Sequence, residues 1–113
     1  PYGFDDTRKS LNSSQILANE HGHYSICDAI ITPEPGKLTF PINLQNLSDG
    51  LVVNDDEVKN AIKFFAEHLK IIVEPGGVVA ATAALTKKID LKNKSVVVMI
   101  SGGNIDLKMF ANL

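Results

Sequence analysis

Two apolar runs in this sequence end on a polar side chain followed by glycine. Val73-Glu74-Pro75-Gly76-Gly77 sets a carboxylate at such an end, and Ile100-Ser101-Gly102-Gly103-Asn104 sets a hydroxyl. Glycines beside a polar terminus suit a place where backbone must come close to a ligand, because no Cβ stands in the way. Both residues also have a plainer structural reading. Glu74 could be an ion-pair partner or a backbone cap at a helix start, and Ser101 could cap the last helix. Elsewhere the reactive side chains are sparser. Asp5 and Asp6 stand where they could cap a first helix. His21 and His23 flank Gly22 and read as solvated loop residues rather than metal ligands. Cys27 reads as a small buried hydrophobe rather than a nucleophile. Asn12, Asn46 and Asn93 each begin a glycosylation-type triplet, a pattern short enough to arise by chance.

The elements that must position these residues alternate in type. A first helix is expected from Asp5 and Asp6 through Leu11, Ile16, Leu17 and Ala18. Between Tyr24 and Leu47, Pro33, Pro35, Gly36 and Pro41 punctuate short apolar runs, so this stretch reads as a long connection pinned to a larger surface. Leu51-Val52-Val53 is a short strand. Asn54 with Glu57 then forms a capping-box signature. The helix after it carries Val58, Ala61, Ile62, Phe65 and Leu69 on one face. Ile71-Ile72-Val73 is an apolar strand, Val78–Leu85 a small-residue helix, and Val96–Ile100 an uninterrupted buried strand; Ile105–Ala111 closes as a short helix. Strand, helix, strand, helix, strand with continuous apolar strands predicts an α/β fold, a partial open parallel sheet flanked by helices. In such sheets ligands sit beyond the carboxyl ends of the strands, where Glu74 and Ser101 stand.

Composition narrows the class. The chain has 113 residues, 44% hydrophobic and 21% charged, which is ordinary for an α/β domain, and a single domain over residues 1–113 is expected. The net charge of −2, with Lys and Arg spread along the chain, argues against nucleic acid or an anionic membrane as partner. No apolar run approaches the about 18 residues that span a bilayer. One cysteine cannot form an internal disulfide, which favours a reducing compartment, and a cytoplasmic location is expected. The chain opens on Pro1 without methionine, and Pro1-Tyr2-Gly3-Phe4 looks like a turn from the middle of a domain, so a preceding segment is expected.

The two strand ends resemble those of the fold-type II pyridoxal-phosphate enzymes, and most closely the serine/threonine dehydratase and serine racemase family. That family pattern is an apolar strand ending Glu-Pro and small residues, then a later strand ending Ser-Gly-Gly-Asn-Val/Ile-Asp. Here these are Val73 to Val78 and Val98 to Asp106. Pro1 with Asp5-Asp6, the Ile26-Cys27-Asp28-Ala29 segment and the acidic run Asn54 to Val58 fall in the family's order. The resemblance therefore covers the whole chain, and it implies the carboxy-terminal half of a tryptophan-synthase-β-like cofactor domain.

The resemblance also implies roles. Ser101 would face the pyridine nitrogen of pyridoxal phosphate, Glu74 would lie near the ring, and Gly102 would permit close approach. Ala29 stands where the family has glycine, its backbone toward the cofactor, and Thr32 falls where a hydroxyl could reach substrate. Asp6 and the Phe4 carbonyl match a divalent-cation site of part of the family, and that oxygen set suits Mg²⁺ or Ca²⁺. The family's cofactor-bearing lysine and glycine-rich phosphate loop have no counterpart here. Lys70, Lys87, Lys88 and Lys94 stand in other contexts, so no catalytic residue is assigned within this chain.

The implied activity of the parent enzyme is removal of water from L-serine or L-threonine, giving ammonia and a 2-oxo acid. The fragment is expected to be inactive alone. With no regulatory domain after Asn104, a catabolic or racemase-like member is expected. Serine or hydroxyaspartate racemase, threonine synthase and diaminopropionate ammonia-lyase remain as rivals of the same fold type. A non-catalytic association module is the rival of another kind. Unpaired sheet edges would favour a homo-oligomer.

Overall fold

The computed structural model describes residues 1–113, and its regular elements are all helical. Helix α1 spans Asp6–Ser13. Asp5 makes no capping hydrogen bond, because Arg8 and Lys9 take its carboxylate. Nor does α1 reach Ala18. Ser14 turns left-handed at φ 56°, and Ser10 Oγ accepts from the Leu17 N–H at 2.9 Å, which folds the chain back.

Helix α2, Thr39–Asn46, lies inside the stretch expected to be irregular. Its signal is faint for two reasons. Pro41 sits in its first turn, where a missing N–H costs nothing. Only Phe40 is buried, while Leu38 is 90% exposed and Ile42 61%, so no apolar face shows in the sequence.

Helix α3, Asp55–Phe64, begins as expected. Asn54 Oδ1 accepts from the Glu57 N–H at 2.9 Å, and Glu57 Oε2 accepts from the Asn54 N–H at 2.8 Å. Its expected face is real through Val58, Ala61, Ile62 and Phe65, all buried. A π turn, Phe65–Leu69, then ends at left-handed Lys70, and Leu69 is half exposed. A 3₁₀ turn at Gly76–Val78 leads into α4, Val79–Leu85. Its small residues Ala81, Thr82 and Ala83 let it close on α3. Lys88, just past α4, pairs with Glu57 at 2.7 Å and ties the two helices. Helix α5 is Leu107–Ala111, shorter than expected, with Asp106 as its cap.

The core gathers Val53, Val58, Ile62, Val73, Val78 and Ile105 around the α3–α4 pair. Fully burying one such side chain contributes about 1.5–3 kcal/mol, so Val58 and Ile62, both 0% exposed, anchor α3.

The expected parallel sheet is not formed. Leu51–Val53, Ile71–Val73 and Val96–Ile100 are not helical, yet no ladder joins them. The Val53 carbonyl is taken by the Tyr2 N–H at 2.8 Å, and the other two segments meet only at their carboxyl ends. Val96–Ile100, expected to be buried, is open on one side. Val97 is 96% exposed and Met99 76%, while Val98 and Ile100 turn toward the core. This alternation is that of a strand with one face covered.

Candidate functional site

The two glycine-flanked ends come together. The Glu74 N–H donates to the Gly102 carbonyl at 3.0 Å, and the Ser101 N–H donates to the Gly77 carbonyl at 3.4 Å. A third tie runs through a side chain, since Glu74 Oε2 accepts from the Asn104 N–H at 3.0 Å. Glu74 thus uses its carboxylate to hold the loop after Ser101, in place of the ion pair or helix cap that its sequence position allowed. The capping alternative for Ser101 also falls away. Asp106 caps α5 by accepting from the Met109 N–H at 2.8 Å, and Ser101 is left exposed.

Gly77, Gly102 and Gly103 are required by space rather than by backbone conformation, for neither they nor Gly76 have positive φ. A Cβ on Gly77 would lie 2.9 Å from the Gly102 nitrogen and oxygen, and one on Gly102 would lie 2.5 Å from Glu74 Oε2. Gly76 differs. Its added Cβ would meet the Ala29 methyl at 3.4 Å, an ordinary contact. That contact sets the Ala29 methyl beside Gly76, two residues along the chain from Glu74. Ala29 sits in a 3₁₀ turn, Asp28–Ile30, which rests on the Gly76–Val78 turn.

Beside these ends opens a cavity of about 270 Å³, lined among others by Ile26, Asp28, Pro75, Asn104 and Ile105. Asp28 and Pro75 are the chain neighbours of Ala29 and Glu74, and Asn104 ends the loop that begins at Ser101; Ala29, Glu74 and Ser101 do not themselves line the cavity. Asp28 and Asn104 were not singled out from the sequence. Asn104 stood in the quoted motif, and Asp28 in the Ile26–Ala29 segment.

Thr32, Asp6 and Phe4 belong elsewhere. They line a second cavity of about 290 Å³ with Arg8 and Leu47, and none of Glu74, Ser101 or Gly102 borders it. Thr32 Oγ1 donates to Asp6 Oδ2 at 3.3 Å, and Asp6 is buried. No three His, Cys, Asp or Glu side chains come together as a metal-binding group. Next to Asp6, burial raises the pKa of the Asp5 carboxyl, but hydrogen bonds and charge from Arg8 and Lys9 outweigh that and hold it below its ordinary value. Burial pushes the Cys27 thiol up, which suits its place in the core. His23 packs edge-on against Tyr2 and Phe4 rather than joining His21 in a site.

Comparison with known proteins gives the family. A family model described as pyridoxal-phosphate dependent enzyme matches residues 1–102. Serine racemase of Dictyostelium discoideum is 38% identical over 100% of this chain and 36% of its own length. L-threo-3-hydroxyaspartate ammonia-lyase of Saccharomyces cerevisiae is 35% identical over 100% of this chain and 34% of its own. The crystal structure of the T.th. threonine deaminase superimposes with a TM-score of 0.85 at 28% identity, over 95% of this chain and 36% of that one. The chain thus spans about a third of the length of the relatives it matches. It follows the path of part of a tryptophan-synthase-β-like domain without closing ladders of its own. The chain belongs to the fold-type II pyridoxal-phosphate-dependent enzymes, among relatives that include serine racemases, threonine dehydratases and hydroxyaspartate ammonia-lyases.

Proposed function

We propose that the protein carrying this chain is a pyridoxal-phosphate-dependent ammonia-lyase that converts L-serine or L-threonine to ammonia and a 2-oxo acid. The observation that carries this reading is the cross-tie of the two strand ends, which leaves the Ser101 side chain exposed at the tip. The names of the yeast ammonia-lyase and the threonine deaminase support elimination. The Dictyostelium relative supports a second reading, racemisation of a hydroxy amino acid.

The residues fit the cofactor. Gly77 and Gly102 let the two strand ends close on one another, Ser101 offers an exposed hydroxyl beside that join, and the adjoining cavity of about 270 Å³ is open. That volume lies just under the range of about 300–1,000 Å³ usual for small-molecule sites, as suits one wall of a larger site. Pyridoxal phosphate, when bound, supplies the electron sink that lets an amino acid lose its α-proton. Ser101 Oγ is the group we assign to the ring nitrogen. A neutral hydroxyl is a poor acid, so it leaves that nitrogen largely unprotonated, a weaker sink than a carboxylate partner would give, which favours prompt loss of the β-hydroxyl. Glu74 and the backbone of Gly77 keep the Ser101–Asn104 loop in place. In the elimination the α-proton and β-hydroxyl leave together as water. The free enamine gains a proton at Cβ, and hydrolysis returns that water to give ammonia and the 2-oxo acid. Asp6 with the Phe4 carbonyl is our proposed place for Mg²⁺ or Ca²⁺, and Thr32 our proposed substrate contact.

The test is the full-length protein supplied with pyridoxal phosphate and L-serine or L-threonine. The 2-oxo acid is read by hydrazone absorbance and D-serine by chiral chromatography. The dehydratase reading expects 2-oxo acid to outpace D-serine. Excess D-serine would favour the racemase reading, and neither product from either substrate would sink both.

A further inference from the structure

The segment that carries Ala29 is held by a residue outside the candidate site. Asp55, in the first turn of α3, spends both carboxylate oxygens on it. Oδ1 accepts from the Ser25 hydroxyl at 2.7 Å and Oδ2 from the Ile26 N–H at 3.0 Å. Ser25 Oγ in turn accepts from the Cys27 N–H at 3.2 Å, and the Cys27 carbonyl accepts from the Ile30 N–H at 3.0 Å, closing the turn in which Ala29 sits. Ser25 is 3% exposed and Cys27 0%, so the Ser25–Cys27 end of this chain of hydrogen bonds is shielded from water, while Asp55 and Ile26 are half-buried. Bonds to an ionised acceptor are stronger than neutral ones, and a shielded donor left without its acceptor is costly.

From these contacts we infer that Asp55 is a positioning residue for the cofactor site. It anchors Ser25–Cys27 and thereby sets how the Ala29 turn meets the Gly76–Gly77 turn. The inference rests on the proposed cofactor role of the Ala29 wall. Neighbouring Asp56 supplies the control. It lies in the same helical turn, carries the same charge and faces solvent, where it pairs only with Lys59. A helix-terminus charge effect would appear equally in both variants; a clamp would appear in one.

The experiment uses the full-length protein with Asp55→Ala, Asp55→Asn, Ser25→Ala and Asp56→Ala. Amide hydrogen exchange of residues 26–30 reads the clamp without cofactor, and fluorescence titration of the apoprotein with pyridoxal phosphate reads the site. We expect Asp55→Ala to raise exchange at 26–30 and weaken cofactor binding, each at least about tenfold, which corresponds to the loss of one charge-assisted bond at the low end of its usual range. Asp55→Asn, which keeps an acceptor for the Ile26 N–H, should recover most of both. Ser25→Ala should fall between, and Asp56→Ala should match the wild type. Unchanged exchange in Asp55→Ala would overturn the clamp. Raised exchange with unchanged cofactor affinity would overturn its role at the site. If Asp55→Ala does not fold, Ser25→Ala and Asp55→Asn decide by the same two readouts. A wild-type protein that binds no pyridoxal phosphate would overturn the proposed function, and the positioning role with it, while the exchange data still report on the clamp.

Discussion

Gly77 and Gly102 face each other across the join of the two strand ends, and the demand on each is steric. A methyl on Gly77 would press on backbone, which cannot rotate away, whereas one on Gly76 meets only a methyl at contact distance. In the full-length protein Gly77→Ala is expected to cost about 1–3 kcal/mol of stability, as over-packing does. Gly76→Ala should be close to neutral by the same denaturant titration. Glu57 gives a pH-dependent case. The Lys88 ammonium, and after it the Asn54 N–H, hold its carboxyl below its ordinary value. A depressed carboxylate stabilises the fold above its unfolded pKa and loses that contribution as pH falls through the folded one. Glu57→Gln should therefore flatten the loss of stability on acidification below about pH 4.5, the ordinary value of the group, in urea midpoints taken across that range. At this scale the sequence was legible where a motif stated the need, as in Ser101-Gly102-Gly103-Asn104. Asp55 was not legible, because an acidic residue after an N-cap already has a local explanation and its partners lie 29 and 30 positions away.

Helices α1, α3, α4 and α5 lie where the sequence places them, although α1 stops short of Ala18, and only α2 is missed. Asn54 and Glu57 announced α3, and the structure has both halves of the capping box. Asp106 caps α5 by a single bond. Asn54→Ala and Asp106→Ala should each cost about 1 kcal/mol in thermal or denaturant unfolding, the usual worth of an N-cap. Asp5→Ala should cost helix α1 no cap, since its carboxylate serves Arg8 and Lys9. Helix α2 was missed because a short helix with one buried residue writes no periodic pattern. The three expected strands are extended but unladdered, because β structure depends on partners distant in sequence, and apolar content alone does not supply them. Val96–Ile100 shows the gap well: its residues suit a strand covered on both faces, yet Val97 and Met99 meet no cover here.

As a whole the chain is flat, with extents of 40 × 39 × 20 Å and a radius of gyration of 14.6 Å, above the roughly 13 Å usual for a compact domain of this length. Only 21 of 113 residues are buried, so much apolar surface on Ile71, Ile72, Val97 and Met99 stands open. Exposed extended edges of this kind invite pairing with other chain. We therefore expect this chain by itself to associate with further copies in sedimentation, and a clean monomer would contradict that. What unites the three scales is the claim that the joined strand ends form one wall of a pyridoxal-phosphate site with the Ser101 hydroxyl at its centre. Its most direct test is titration of the full-length apoprotein and its Ser101→Ala variant with pyridoxal phosphate, followed by absorbance. Loss of one hydrogen bond worth about 0.5–1.5 kcal/mol should weaken binding by about two- to tenfold and shift the cofactor band. Equal affinity and an unchanged spectrum in the variant would contradict the claim.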